Sequence, residues 1–92
     1  MTWQLRLYRI HDGEWDEWVR EWKESIAPLR RELGFDVRGP WRAGDGRFVW
    51  MIGHEDFDTA DTAYYESPAR TGLAPDPARH IAEIETVLLE EA

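Results

Sequence analysis

Two polar residues in the first strand-like segment are the first candidates for chemistry. Arg6 and Tyr8 are two positions apart in an alternating run, so they lie on one face of a strand. A guanidinium there could hold a carboxylate or enolate oxygen, with Tyr8 as a hydrogen-bond donor or acid. The structural alternative is that Arg6 pairs with an acidic residue of a second subunit, while Tyr8 packs with its hydroxyl in water.

The third candidate is a histidine that stands beside two carboxylates. His54 is followed by Glu55 and Asp56 at the end of a strand-like run. Because an imidazole near a carboxylate titrates around neutral pH, His54 could act as a general base or proton relay. The alternative is a partly exposed histidine in a strand-to-helix turn, and we expect His11 and His80 at the surface. No two histidines have a metal-ligand spacing, so we expect no metal site.

The aromatic residues make up 13% of the 92 residues, and six of them are tryptophans. Trp41, Trp50 and Tyr64 could line a pocket for a flat apolar ligand, although plain structural packing is the alternative for each. Three further tryptophans follow the spacing of a buried helical stripe, so we expect them in the core: Trp15, Trp18 and Trp22.

Composition excludes several classes of function. The chain has 11 basic and 19 acidic residues, a net charge of −8, which opposes binding to nucleic acid and to anionic membranes. It has no cysteine and no apolar run long enough to span a bilayer. Glycine-rich phosphate loops, nucleophile elbows and zinc-protease motifs are also absent. We therefore expect a cytoplasmic protein without a cofactor.

The elements that position these residues follow from hydrophobic periodicity. Residues 3–10 alternate as a strand whose other face carries Trp3, Leu5 and Leu7. A long helix follows, which Gly34 should end in a left-handed conformation and Pro28 should kink. Its apolar stripe is predicted to contain Trp15, Trp18, Val19, Trp22, Ile26, Leu29 and Leu33.

The second half of the chain predicts a hairpin, a second helix and an ambiguous tail. Residues 35–42 and 47–55 predict a hairpin, and Asp58 or Thr59 would begin a second helix that ends at Ser67 and Pro68. Residues 78–91 fit either a helix or a closing strand. The order indicates one α+β domain over residues 1–92 with the ferredoxin-like βαββαβ arrangement. Because residues 48–52 are apolar at every position, we expect a second copy to cover the open sheet face as a homodimer.

Several segments, in the same order, resemble the NIPSNAP family. They are residues 5–8 (LRLY), 26–30 (IAPLR), 33–35 (LGF), 39–41 (GPW), 47–50 (RFVW), 74–79 (APDPAR) and 84–86 (IET). The resemblance implies the dimeric α/β barrel, in which two ferredoxin-like protomers pack sheet against sheet, and a strand at the C-terminal tail. It brings no catalytic set, because most NIPSNAP-like proteins have no assigned reaction.

Three functional hypotheses follow. The first is a small cytoplasmic NIPSNAP-like homodimer with an aromatic-lined pocket for a small apolar or aromatic organic molecule, and with no cofactor, nucleic acid or membrane partner. The second is a cofactor-independent oxygenase, isomerase or cyclase of an aromatic or polyketide-like substrate, which would use Arg6, Tyr8 and His54. The third is a structural interaction module with every aromatic residue in the core or an interface.

Overall fold

The computed structural model describes residues 1–92 as one antiparallel sheet with all helices on one face. The strands are β1 (Thr2–Ile10), β2 (Asp36–Arg42), β3 (Phe48–His54) and β4 (Ile81–Glu90), in the order β2-β3-β1-β4. The helices are α1 (Trp15–Glu21), which runs through a π-helical turn (Trp22–Ile26) into α2 (Ala27–Glu32), then α3 (Phe57–Glu66) and α4 (Pro68–Thr71). A 3-10 turn (Pro77–His80) precedes β4. The predicted α+β ferredoxin-like fold is confirmed.

The C-terminal tail is a strand, as the resemblance implied. β4 pairs antiparallel with β1 along the whole of β1, with Thr86 opposite Arg6 and Val87 opposite Leu5. Thr86 and Val87 are β-branched, and such side chains favour extended backbone because they pack well on a pleated surface. None of the helices has the length and apolar character needed to cross a membrane.

The core is an aromatic cluster between the sheet and the long helix. Phe48 is fully buried at its centre, and its ring makes edge-on contacts with Trp18 at 5.3 Å and Trp22 at 5.5 Å between ring centroids. The ring of Trp15 lies 5.9 Å from Phe48 at the edge of the cluster. The prediction that these tryptophans belong to the core is confirmed for Trp18 and Trp22, whereas Trp15 is half-buried and packs against the core. Each edge-on pair adds about 1 kcal/mol to the burial of its rings.

A π-helical turn changes which residues the long helix buries. The Ala27 N–H donates to the Trp22 carbonyl, five residues back instead of four. The turn lies next to Pro28, which has no N–H for the Glu24 carbonyl and so interrupts the α-helical pattern in any case. A π turn adds one residue, and the buried face beyond it therefore moves by one position.

The predicted apolar stripe is consequently wrong beyond Ile26. Ala27 and Arg30 are buried at 1% exposure each, whereas Leu33 is 40% exposed and Leu29 is only half-buried. The extra residue thus turns Arg30 toward the sheet, in the place where the simple stripe would put Leu29. Gly34 ends the helix at φ +94°, in the left-handed region that was predicted.

A second one-residue insertion occurs in β2. Arg38 is opposite Met51, but the register shifts at Gly39 and Pro40, so that Trp41 is opposite Val49. Simple alternation would have placed residue 41 on the same face as Val37, towards the helices. The bulge turns Trp41 to the opposite face, where it is 51% exposed.

His80 is buried, which corrects the expectation of a surface histidine. It is 2% exposed, with Nδ1 2.8 Å from a Glu14 oxygen and Nε2 2.9 Å from a Glu21 oxygen. Burial alone would lower the pKa of His80, but the two carboxylates outweigh it and raise the pKa. With both ring nitrogens facing carboxylates, the imidazolium ties the start of β4 to α1.

Arg79 completes this cluster. Its guanidinium contacts Glu17 at 3.1 Å and Glu21 at 2.9 Å, and together with His80 it lowers the pKa of Glu21 to about 2, against the effect of burial. The ligand atoms of Glu17, Glu21 and His80 lie within 4.8 Å of one another, close enough to hold a metal ion. Arg79 and His80 already neutralise these carboxylates, so a metal would have to displace both cations.

Ile26 and Leu33 both belong to the simple stripe. The shifted helix register predicts that their substitution lowers the free energy of unfolding by different amounts. Ile26→Ala should lower the free energy of unfolding by about 3 kcal/mol, because it leaves a hole in the core. Leu33→Ala should lower it by less than about 1 kcal/mol, because Leu33 is 40% exposed. Urea unfolding of the two variants checks this, and equal losses would contradict the register.

The His80 cluster predicts a pH-dependent contribution to stability. The raised pKa of His80 means that its contribution is complete below the unfolded value of about 6.5 and is lost as the pH rises through the folded value. His80→Gln should cost about 2 kcal/mol in free energy of unfolding at mildly acidic pH and clearly less at alkaline pH. The exposed His11→Gln is the control. A gap between wild type and His80→Gln that stays constant or grows with pH would refute the assignment.

Candidate functional site

A cavity of about 280 Å³ lies between the helix-facing side of the sheet and the helices. Its polar lining consists of three arginines, three tyrosines and one threonine: Arg6, Arg30, Arg70, Tyr8, Tyr64, Tyr65 and Thr86. Trp18 and Trp50 form much of the apolar wall, and Ile81 and Ile84 line the side formed by β4. Ile84 is 62% exposed, so the cavity opens at this edge of the sheet.

Strand alternation and helix register bring these groups together. Arg6 is opposite Trp50 and Tyr8 is opposite Phe48, so all four point to the helix side of β1 and β3. Arg30 reaches the same space from α2 because the π turn rotates it inward. Every polar group of the site is thus held on a regular element, which restricts its position more than a loop would.

Each nitrogen of the Arg6 guanidinium group has a polar neighbour, but one N–H of Nη2 has no acceptor. Its Nε donates to Gln4 Oε1 at 2.6 Å, and its Nη1 donates to Tyr65 Oη at 2.9 Å and to Tyr8 Oη at 3.4 Å. Its Nη2 lies 3.4 Å from Asp61 Oδ1, a long and therefore weak ion pair. Arg6 is 7% exposed, so these contacts largely replace water.

Arg30 is buried more deeply, at 1% exposure. Its Nη1 donates to Asp61 Oδ1 at 2.7 Å, and its Nη2 donates to Tyr65 Oη at 3.3 Å. The guanidinium carbon lies 3.6 Å from the centre of the Tyr64 ring and 4.7 Å from that of Phe35. Stacking on aromatic faces stabilises a cation that has little access to water.

Tyr8 and Tyr64 stay protonated at neutral pH. Burial raises the pKa of Tyr8, although the charge of Arg6 opposes this. Burial also raises the pKa of Tyr64, against the effect of Arg30. The pKa of Arg6 is raised as well, because the oxygens of Tyr8 and Tyr65 outweigh the cost of burial. The cavity therefore presents fixed positive charge and neutral hydroxyl groups.

Four of the six predicted site residues meet in this cavity. Arg6 and Tyr8 lie within hydrogen-bond distance of each other, as their shared strand face predicted, and Trp50 and Tyr64 line the same space. Trp41 does not line it, because the bulge in β2 puts its ring on the opposite face of the sheet.

His54 is also separate from the cavity. Its ring lies 5.1 Å from that of Phe35, near the end of β3, and its Nδ1 accepts the N–H of Asp56 at 2.9 Å. This is the strand-to-helix turn that stood as the alternative. The residue before α3 is Asp56, and not Asp58 or Thr59 as predicted.

The sequence reasoning missed Arg30, Asp61 and Tyr65 as site residues. Asp61 and Tyr65 are four residues apart on α3, a spacing that puts both side chains on one helix face and could have been noticed. Arg30 is not a member of the apolar stripe that the helical periodicity predicts. Only a π turn next to Pro28 would have predicted its burial.

Comparison with known proteins places this architecture. No protein-family model matches the chain, and no curated protein matches its sequence. A NIPSNAP domain protein from Burkholderia xenovorans has a TM-score of 0.84 at 19% identity, over 100% of this chain and 95% of that one. A NIPSNAP family protein from Agrobacterium tumefaciens has a TM-score of 0.82 at 21% identity, over 99% of this chain and 92% of that one.

The same architecture extends to another group of proteins. An antibiotic biosynthesis monooxygenase has a TM-score of 0.72 at 19% identity, over 100% of this chain and 99% of its own. At such identities the likeness establishes the fold. The chain is NIPSNAP-like in fold along its whole length, as its sequence resemblance indicated.

The ion pair between Arg30 and Asp61 predicts the effect of one substitution. Asp61→Asn should lower the free energy of unfolding by about 2–3 kcal/mol, because it removes the carboxylate that neutralises Arg30. The matched control is Glu66→Gln, an exposed carboxylate on the same helix, which should cost at most about 0.5 kcal/mol. Urea unfolding of both variants gives the comparison, and similar costs would show that the pair contributes little.

Proposed function

We propose that this protein is a cytoplasmic, NIPSNAP-like homodimer that binds a small organic molecule in the cavity described above. The observation that carries the proposal is an apolar, aromatic wall with a few converging polar groups, the usual make-up of a ligand site. Trp18, Trp50 and Tyr64 supply flat apolar surface, and Arg6 and Tyr8 supply polar contacts. We assign no reaction.

The size of the cavity limits the ligand. A volume of about 280 Å³ is just below the usual range for small-molecule pockets, so the ligand must be small. A molecule with one or two rings would fill it, and the opening beside Ile84 gives a path of entry. Aromatic walls favour a flat ligand, because ring faces can stack on them.

The open face of the sheet supports the homodimer. Its apolar residues lie on β1, β3 and β4 and are only half-buried or exposed, because no helix covers them: Trp3, Leu5, Leu7, Val49, Met51, Val87 and Leu89. A contiguous apolar surface of this kind indicates an interaction site. A second copy presents the same apolar face, and two such faces related by a two-fold axis would cover each other.

A cofactor-independent enzyme is the second candidate. The specific observation in its favour is that Arg6 and Tyr8 both reach the cavity, where a guanidinium could stabilise an anionic intermediate and a neutral tyrosine could donate a proton. Tyr8→Phe separates the two candidates, because turnover would disappear while ligand affinity stays within a few-fold.

Native mass spectrometry of freshly purified protein tests both parts of the proposal. We expect a dimer at micromolar concentration, with extra mass that leaves on denaturation. Leu5→Glu should give monomers, because it places a charge at the centre of the open face. Thr59→Glu adds the same charge to an exposed position on α3 and should remain dimeric.

The other outcomes are equally informative. A wild-type monomer would rule out the sheet-to-sheet homodimer. A dimer that carries no ligand and takes up none from a panel of small aromatic compounds would favour the structural interaction module.

A further inference from the structure

We infer that the ligand is a small organic anion, a carboxylate with a flat apolar body, whose charged oxygens contact Arg6. The inference rests on the proposed function, because it names the ligand class of the same cavity. It is carried by the balance of charge around the cavity and by the donors that have no acceptor.

The positive charges around the cavity outnumber the negative ones. Arg30 takes the short ion pair with Asp61 at 2.7 Å, and Arg70 is paired with Asp76 at 3.0 Å. Arg6 shares the same Asp61 oxygen only at 3.4 Å, and its other contacts are uncharged. Three guanidinium groups thus face two carboxylates, an excess of one positive charge at Arg6.

This local excess runs against the charge of the whole chain. The protein carries a net charge of −8, yet no carboxylate lines the cavity itself. A cationic ligand would meet repulsion from three guanidinium groups, and a neutral one would leave Arg6 without a full counter-charge. A carboxylate would complete the pairing, and its planar shape matches the planar guanidinium.

Two buried donors on residues of the cavity lining also lack an acceptor. The indole N–H of Trp18 and the Nε–H of Arg30 make no hydrogen bond. Buried donors are normally paired, so two unpaired ones on residues of the lining favour a ligand that accepts hydrogen bonds. The two oxygens of a carboxylate accept several hydrogen bonds and donate none.

The tyrosine hydroxyls add donors of the same kind. Tyr65 Oη accepts from both Arg6 and Arg30, which leaves its own proton free to donate. Tyr8 Oη accepts from Arg6 in the same way, and its raised pKa keeps the proton in place. Ile81, Ile84 and the two tryptophans form the apolar remainder of the wall, which suits the body of the ligand.

Calorimetric titration with two probes of the same shape tests the inference. 2-Naphthoate and 2-naphthamide have the same ring system, and only the first is charged at neutral pH. We expect the wild-type protein to bind 2-naphthoate at least tenfold more tightly. Arg6→Gln should remove most of this preference, while its affinity for the amide stays within about threefold.

A matched control and a second variant complete the experiment. Arg20→Gln removes an exposed guanidinium of α1 that does not line the cavity, and it should leave the preference unchanged. Arg70→Gln removes a cavity arginine whose partner Asp76 is exposed, and it should reduce the preference severalfold. If Arg6→Gln does not fold, the wild-type ratio and Arg70→Gln still decide.

Failure of the inference differs from failure of the proposed function. If acid and amide bind equally well and Arg6→Gln changes both alike, the cavity binds ligands but does not select anions, and the inference is overturned. If neither probe binds and native mass spectra show no bound molecule, the proposed function falls, and the inference falls with it.

Discussion

A buried positive charge dictates much of this architecture. The guanidinium of Arg30 is 1% exposed, and removing such a group from water costs several kcal/mol unless it is paired and hydrogen-bonded. Asp61 and Tyr65 on α3 supply that pairing, and Tyr64 supplies an aromatic face at 3.6 Å. The charge therefore holds α3 against α2 over the sheet. It also keeps the centre of the layer polar, where apolar side chains would otherwise close the space.

The carboxylate of Asp61 also explains why Arg6 lacks a full counter-charge. One oxygen of Asp61 lies near two guanidinium groups, and it is much closer to Arg30. The pairing that stabilises the helix layer is thus complete on one side and weak on the other. This oxygen therefore links the stability of the helix layer to the cavity. It pairs closely with Arg30 on the helix and only weakly with Arg6, which lies on a central strand and lines the cavity.

Hydrophobic periodicity predicted most of the fold and about half of the site. The period of two placed Arg6 with Tyr8, and the order of strands and helices predicted the topology. Periodicity failed at two one-residue insertions, the π turn next to Pro28 and the bulge at Gly39 and Pro40. The first brought Arg30 in, and the second turned Trp41 out. A proline marked both places, but a proline alone predicts an interruption and not the direction in which the pattern shifts.

Other differences depend on contacts between distant parts of the chain. The partners of His80 are Glu21 on α1 and Glu14 just before it, 59 and 66 residues away, so nothing in its local sequence distinguishes it from a surface histidine. His54 shows the opposite case, since its neighbour Asp56 formed a local turn and not a relay. Local pattern thus predicts which face a residue occupies, whereas the charge network is determined by tertiary packing.

The π turn has a consequence for the way in which relatives of this protein are recognised. It adds one residue inside a helix. If a relative lacks this residue, an alignment without a gap there pairs Arg30 with a position on a different face of the relative's helix. Overall identity near 20% says little about this position. A relative should share the buried cation only if it keeps both the inserted residue and an arginine one turn after it. Those two features together are a more selective search criterion than similarity along the chain.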